Sequence, residues 1–147
     1  MNKVDLELEF DIGHCNGSMS FTIMCNDSIL EKVSNIVDKK YIVKTQMSLP
    51  GTIKILVFNK NMNTDTKIDS DGNILEDKFI QLRELRMGRI AVSSAVLKNL
   101  CSYTRNKETV QDTYWGFPGM VEIEFNQAEV VAWHLINNPT NFNIVRQ

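Results

Sequence analysis

The sequence predicts an all-β fold, an antiparallel β-sandwich of jelly-roll type with one or two short helices, and three observations carry that prediction. Val4, Leu6, Leu8, Phe10 and Ile12 alternate with Asp5, Glu7, Glu9 and Asp11, a period of two that suits an extended strand buried on one face. Val121, Ile123 and Phe125 alternate with Glu122 and Glu124 in the same way. Turn-forming residues recur at roughly 8–12-residue spacing, as in sandwich folds, and helical periodicity is confined to two short stretches.

The elements follow in order. After the first strand, 13–17 holds two glycines and reads as a turn; Phe21, Ile23 and Cys25 form a second strand expected to pair with the first as a hairpin. Asn26-Asp27-Ser28 makes another turn, because short polar side chains bond the local backbone. Residues 29–37 fit neither period. Tyr41 to Ser48 is a strand, Leu49-Pro50-Gly51 a strong turn signal, and Thr52 to Phe58 a β-branched, apolar strand, so 41–58 reads as a hairpin. The polar stretch 59–73 is a long loop, or a loop with a small hairpin inside it. Phe79 to Met87 resumes as a strand. Ser93 or Ser94 caps a short helix expected to run through Tyr103. Residues 115–119 form a turn, 120–125 the last strand, and Asn126 to Glu129 resembles a capping box opening a second helix that carries Val130, Trp133 and His134 and ends at Asn137-Asn138-Pro139.

One domain, 1–147, is expected, since a chain of 147 residues that is 43% apolar buries an adequate core without staples. Three widely spaced cysteines, Cys15, Cys25 and Cys101, give neither a disulfide framework nor a zinc site, and with two histidines, His14 and His134, no nucleophile–base set emerges, so no enzyme is expected. A net charge of −2 with no basic block argues against nucleic acid as a partner. No apolar run reaches the roughly 20 residues of a membrane span, and charges at Lys3, Asp5, Glu7 and Glu9 interrupt any leader-like stretch.

Ligand chemistry concentrates in one loop. Asn59, Asn61, Asn63, Asp65, Asp69, Asp71, Asn73 and Asp77 offer the oxygens that calcium prefers. It is not an EF-hand: with Gly72 at the invariant glycine, Lys67 and Lys78 fall where the first and last acidic ligands belong. Asp69-Ser70-Asp71-Gly72-Asn73 equally reads as a hairpin turn between Ile68 and Ile74, and such a turn can also carry ligands.

The run of Phe58-Asn59-Lys60-Asn61, then Asp65 to Ile74 with its Asp-Ser-Asp-Gly, then Asp77-Lys78-Phe79 resembles the calcium-dependent, xylan-binding type of carbohydrate-binding module and related β-sandwich modules of bacteriophage virion proteins. The resemblance implies a non-catalytic module, with Asp65, Asp69, Asp71 and Asp77 as candidate calcium ligands and Asn61, Asn63 and Asn73 as glycan contacts. It also implies a virion location reached from the host cytoplasm by lysis, with a glycan or other virion proteins as partner and homo-oligomers open. The alternative is a purely structural capsid or tail protein with no sugar ligand. Tyr114, Trp115 and Phe117 lie where an exposed platform for a sugar ring could sit, and Trp115 is the aromatic assigned to ligand, although large aromatics beside Pro-Gly turns also plug sandwich cores.

Overall fold

The computed structural model describes residues 2–125; the expected helix at 126–139, with Trp133 and His134, lies outside them. The strands are β1 (Asn2–Gly13), β2 (Ser20–Cys25), β3 (Ser28–Val33), β4 (Lys40–Leu49), β5 (Gly51–Phe58), β6 (Thr66–Ile68), β7 (Ile74–Asp77), β8 (Phe79–Met87), β9 (Ile90–Ala91), β10 (Ser102–Arg105), β11 (Glu108–Gln111), β12 (Tyr114–Trp115) and β13 (Gly119–Phe125), with one helix, α1 (Ser94–Leu100). They build an antiparallel sandwich. One sheet has the order β12-β8-β1-β4 with β9 beside β8, the other β11-β10-β13-β5-β2-β3, and β6-β7 is a separate hairpin.

The period of two in β1 sorts its side chains as expected. Leu6, Leu8, Phe10 and Ile12 are buried and join Phe21, Ile23, Ile53, Ile55, Ile80, Leu82, Val121 and Ile123 in one core between the layers. The outward acids find partners across the strands: Lys44 reaches Glu7 at 3.5 Å, Lys40 reaches Glu9 at 3.8 Å and Arg83 reaches Asp11 at 3.2 Å, while the uncharged Gln46 amide donates to Asp5 at 2.9 Å. Such exposed pairs add little stability each, about 0.2–1 kcal/mol, but they relieve repulsion along a row of four carboxylates.

Two expected hairpins are corrected. β1 does not pair with β2; it pairs with β4 and β8, whereas β2 pairs with β3 and β5. Nor do β4 and β5 pair: at Leu49–Pro50, a cis bond, the chain crosses from one sheet to the other. Asn26 clasps this crossing, its Oδ1 accepting from the Thr52 N–H at 2.9 Å. Consecutive strands in a sandwich join across layers as readily as within one, and turn chemistry does not tell the two apart. The Asn26–Asp27 turn does connect a true hairpin, β2–β3.

Helix α1 also stops earlier than expected. Cys101 is already extended, and Tyr103 pairs with Val121 in β10, its ring buried. The long loop contains the small hairpin, β6–β7, closed by the Asp69–Asn73 turn.

Candidate functional site

The segments 59–65, 77–79 and 112–117 meet at one end of the sandwich. β12 is held against β8 through Tyr114↔Gln81 and Trp115↔Ile80, which brings the Tyr114 side chain beside the start of β8. There the Tyr114 ring stacks on Phe79 with centroids 4.6 Å apart. Phe79 in turn lies on Gly13, its register partner, where a Cβ would fall 2.0 Å from the ring, so the stack requires glycine.

Two ion pairs lock the loop beneath this stack. Lys78 Nζ donates to Asp65 Oδ2 at 3.0 Å and to the Asn59 carbonyl at 3.2 Å. Lys60 Nζ donates to Asp77 Oδ1 at 2.7 Å and to the Gly116 carbonyl at 2.7 Å. The lysine side chains are 6% and 2% exposed. Asp65 also accepts from the Asn61 N–H at 2.8 Å, and from Asn16 and Thr64 at 3.2 Å each. Asp77 accepts from Thr66 Oγ1 at 2.6 Å and from the Tyr114 hydroxyl.

The electrostatics follow. The Asn61 N–H, with the Lys78 ammonium next, holds the Asp65 carboxyl far below the usual carboxylate range against the opposing effect of burial. Burial pushes the Asp77 carboxyl up, but hydrogen bonds from Lys60, Thr66 and Tyr114 together outweigh it, and the net direction is down. Tyr114 is pushed up, first by burial and then by its bond to Asp77.

The proposed metal ligands therefore do not meet. Asp65 and Asp77 face lysines. Asp69 closes its own turn, its Oδ1 accepting the N–H groups of Asp71 and Asn73 at 2.9 Å each, while Asn73 Nδ2 turns back to Asp69 Oδ2 at 3.3 Å. Asp71 is exposed at the tip, Gly72 takes φ +85°, and Asn61 Oδ1 accepts the N–H of exposed Asn63 at 3.0 Å. Among the described residues no three His, Cys, Asp or Glu side chains are placed to hold one metal ion. The calcium set of Asp65, Asp69, Asp71 and Asp77 does not fit the residues as they stand: Asp65, Asp69 and Asp77 are each bonded to donors of the protein, and Asp71 stands apart at the turn tip.

Trp115 is also corrected. Its side chain is wholly buried, near Phe10 and Tyr103 with centroids 6.2 and 6.4 Å away, and its Nε1–H donates to the Asp112 carbonyl at 2.8 Å. The exposed aromatics of this turn are its neighbours Tyr114 and Phe117, 36% and 37% exposed. Alternation within β12 explains the exchange: when Trp115 points into the core, Tyr114 points out. Phe117 is fixed through its backbone, its N–H donating to the Tyr103 hydroxyl at 2.9 Å and its carbonyl accepting from the same hydroxyl. Arg105 lies over the Phe117 ring at 4.3 Å, and its buried Nε–H has no hydrogen-bond partner among the described residues. Neither Arg105 nor Lys60 carries a sequence signal of this role, since each meets its partners only through tertiary contact.

The architecture has known counterparts. The chain folds like vCBM60. A structure of vCBM60 in complex with galactobiose matches with a TM-score of 0.50 at 12% identity, covering 82% of this chain and 97% of that one. The selenomethionine form of vCBM60, described with a circular permutation linking two families of calcium-dependent carbohydrate-binding modules, matches with a TM-score of 0.51 at 11% identity, covering 84% and 91%. By sequence, neither a family model nor any curated protein matches the chain. At such identity the likeness is one of fold, and it agrees with the β-sandwich expected of a carbohydrate-binding module.

Proposed function

We propose that this chain is a non-catalytic glycan-binding module whose contact surface is the rim formed by Tyr114, Phe117 and Arg105. The observation that carries this reading is the pair of half-exposed aromatics held at the sandwich end by Phe79, Tyr103 and Asp77, in a fold like that of a module bound to galactobiose. A sugar ring offers a weakly polar C–H face that packs on aromatic surface, while its hydroxyls take hydrogen bonds from groups such as a guanidinium. The Arg105 guanidinium, partly buried over the Phe117 ring, would supply that second contact through its terminal nitrogens.

A glycan array that includes galactobiose tests the reading. Binding should appear for at least one glycan and fall by about tenfold or more in Phe117→Ala and Arg105→Ala, the loss of roughly 1.4 kcal/mol, with the melting midpoint retained. No binding to any glycan would overturn it.

The purely structural reading has one observation in its favour: Ile68, Ile74 and Leu75 are 62–65% exposed on the β6–β7 hairpin, an apolar surface suited to contact with another protein. Placement in a phage particle rests on the sequence resemblance. Co-sedimentation with particles, lost in Ile74→Asp, would favour the structural role.

A further inference from the structure

Two nearly buried lysines organise the loop from within. Each ammonium gathers oxygens from separated parts of the chain: Lys78 joins Asp65 to the Asn59 carbonyl, and Lys60 joins Asp77 to the Gly116 carbonyl, with N···O distances of 2.7 to 3.2 Å. Drawing a carboxylate and a main-chain carbonyl onto one positive centre is what a hard cation does when it organises a loop. Here the centre is covalently part of the protein.

The carboxylates leave little room for a second cation. An ionised carboxylate has about four acceptor directions, and Asp65 receives donors from Asn61, Lys78, Asn16 and Thr64. Asp77 receives donors from Lys60, Thr66 and Tyr114. A divalent ion bound to either would sit against a nearly buried ammonium, where like charges are weakly screened. We propose that Lys60 and Lys78 are the internal cations of the 59–78 loop, so that this chain folds and holds its rim without divalent metal.

The test is thermal melting of the whole chain, a readout independent of whether any glycan binds. A resident calcium site saturated about 100-fold over its Kd would raise the midpoint by roughly 5–10 °C. The expected result is a midpoint equal within about 1 °C in EDTA and in about 5 mM calcium chloride, with no binding heat on calorimetric titration. A calcium-dependent rise, or saturable binding heat, would overturn the proposal.

Two variants read the same point from the lysine side. Lys60→Met and Lys78→Met should each lower the midpoint by roughly 5–15 °C, because each leaves a carboxylate without its cation. Lys67→Met is the control: its pair with Glu76 at 2.9 Å is half exposed, so it should lose less than about 2 °C. If all three lose the same, the lysines are ordinary ion pairs and the proposal fails. If either of the first two does not fold, the calcium comparison on the unaltered chain still decides.

Discussion

Trp115→Ala separates a core role from a ligand role at the position where sequence and structure disagree most. The indole is wholly buried against Phe10 and Tyr103, and its N–H is bonded to the Asp112 carbonyl. An aromatic side chain buries about 150–250 Å², which at about 25 cal/mol per Å² is worth roughly 4–6 kcal/mol. Alanine retains part of that contact, and core Trp-to-Ala truncations cost about 3–5 kcal/mol, so a loss of about 4 kcal/mol is expected. Against a total stability of about 5–15 kcal/mol, such a loss moves the urea midpoint far down at an unchanged slope. Trp115→Phe, which keeps most of the ring but orphans the Asp112 carbonyl, should cost about 1–3 kcal/mol. Equilibrium urea unfolding of the three proteins gives both numbers. A loss below about 1 kcal/mol for Trp115→Ala, with glycan binding abolished, would refute the burial argument and return Trp115 to the surface.

Other expectations follow from the same geometry. Gly13→Ala places a Cβ 2.0 Å from the Phe79 ring and 2.7 Å from the Asp77 carbonyl oxygen; relief needs both the ring and the backbone at 77 to shift, which should cost about 3 kcal/mol or more in urea unfolding and loosen the Tyr114 stack. Asp65, Asp69 and Asp77 all have carboxyls held below their ordinary values. Depressed folded values give stability that is complete above the unfolded value of about 4 and lost as pH falls through the folded values. The urea midpoint should therefore drop steadily below about pH 4, and Asp77→Asn should flatten that acid slope. Burial, with the Asp112 charge behind it, pushes the Cys101 thiol up to about 12, so in the native chain it should resist a thiol-specific disulfide reagent at pH 8 and react only on unfolding. Rapid native labelling at Cys101 would contradict its burial.

Legibility in the sequence tracked how local the governing physics is. The alternation in β1 and β13 announced which residues face the core, because side chains on a strand alternate by backbone geometry alone. The Asp69–Asn73 turn was equally readable, since its bonds run only between residues of the turn itself. Strand partners were not, and the hairpins expected over 4–25 and 41–58 failed where the chain changes sheets. The short strands β10, β11 and β12 carry too little periodicity to stand out, and β10 ended the helix early because Tyr103 gains more from the core than from another helical turn.

The sequence by itself determined an antiparallel sandwich, the inward faces of its main strands and the oxygen-rich loop, all of which follow from spacing along the chain. Tertiary structure alone decided what that loop does. Asp65 and Asp77 look like metal ligands until Lys78, thirteen residues from Asp65, and Lys60, seventeen from Asp77, are brought against them. It likewise turned Trp115 inward and left Tyr114 and Phe117 at the surface. A carboxylate's chemistry depends on which charge the fold sets a few ångströms away, and that distance is not written in the spacing of the chain.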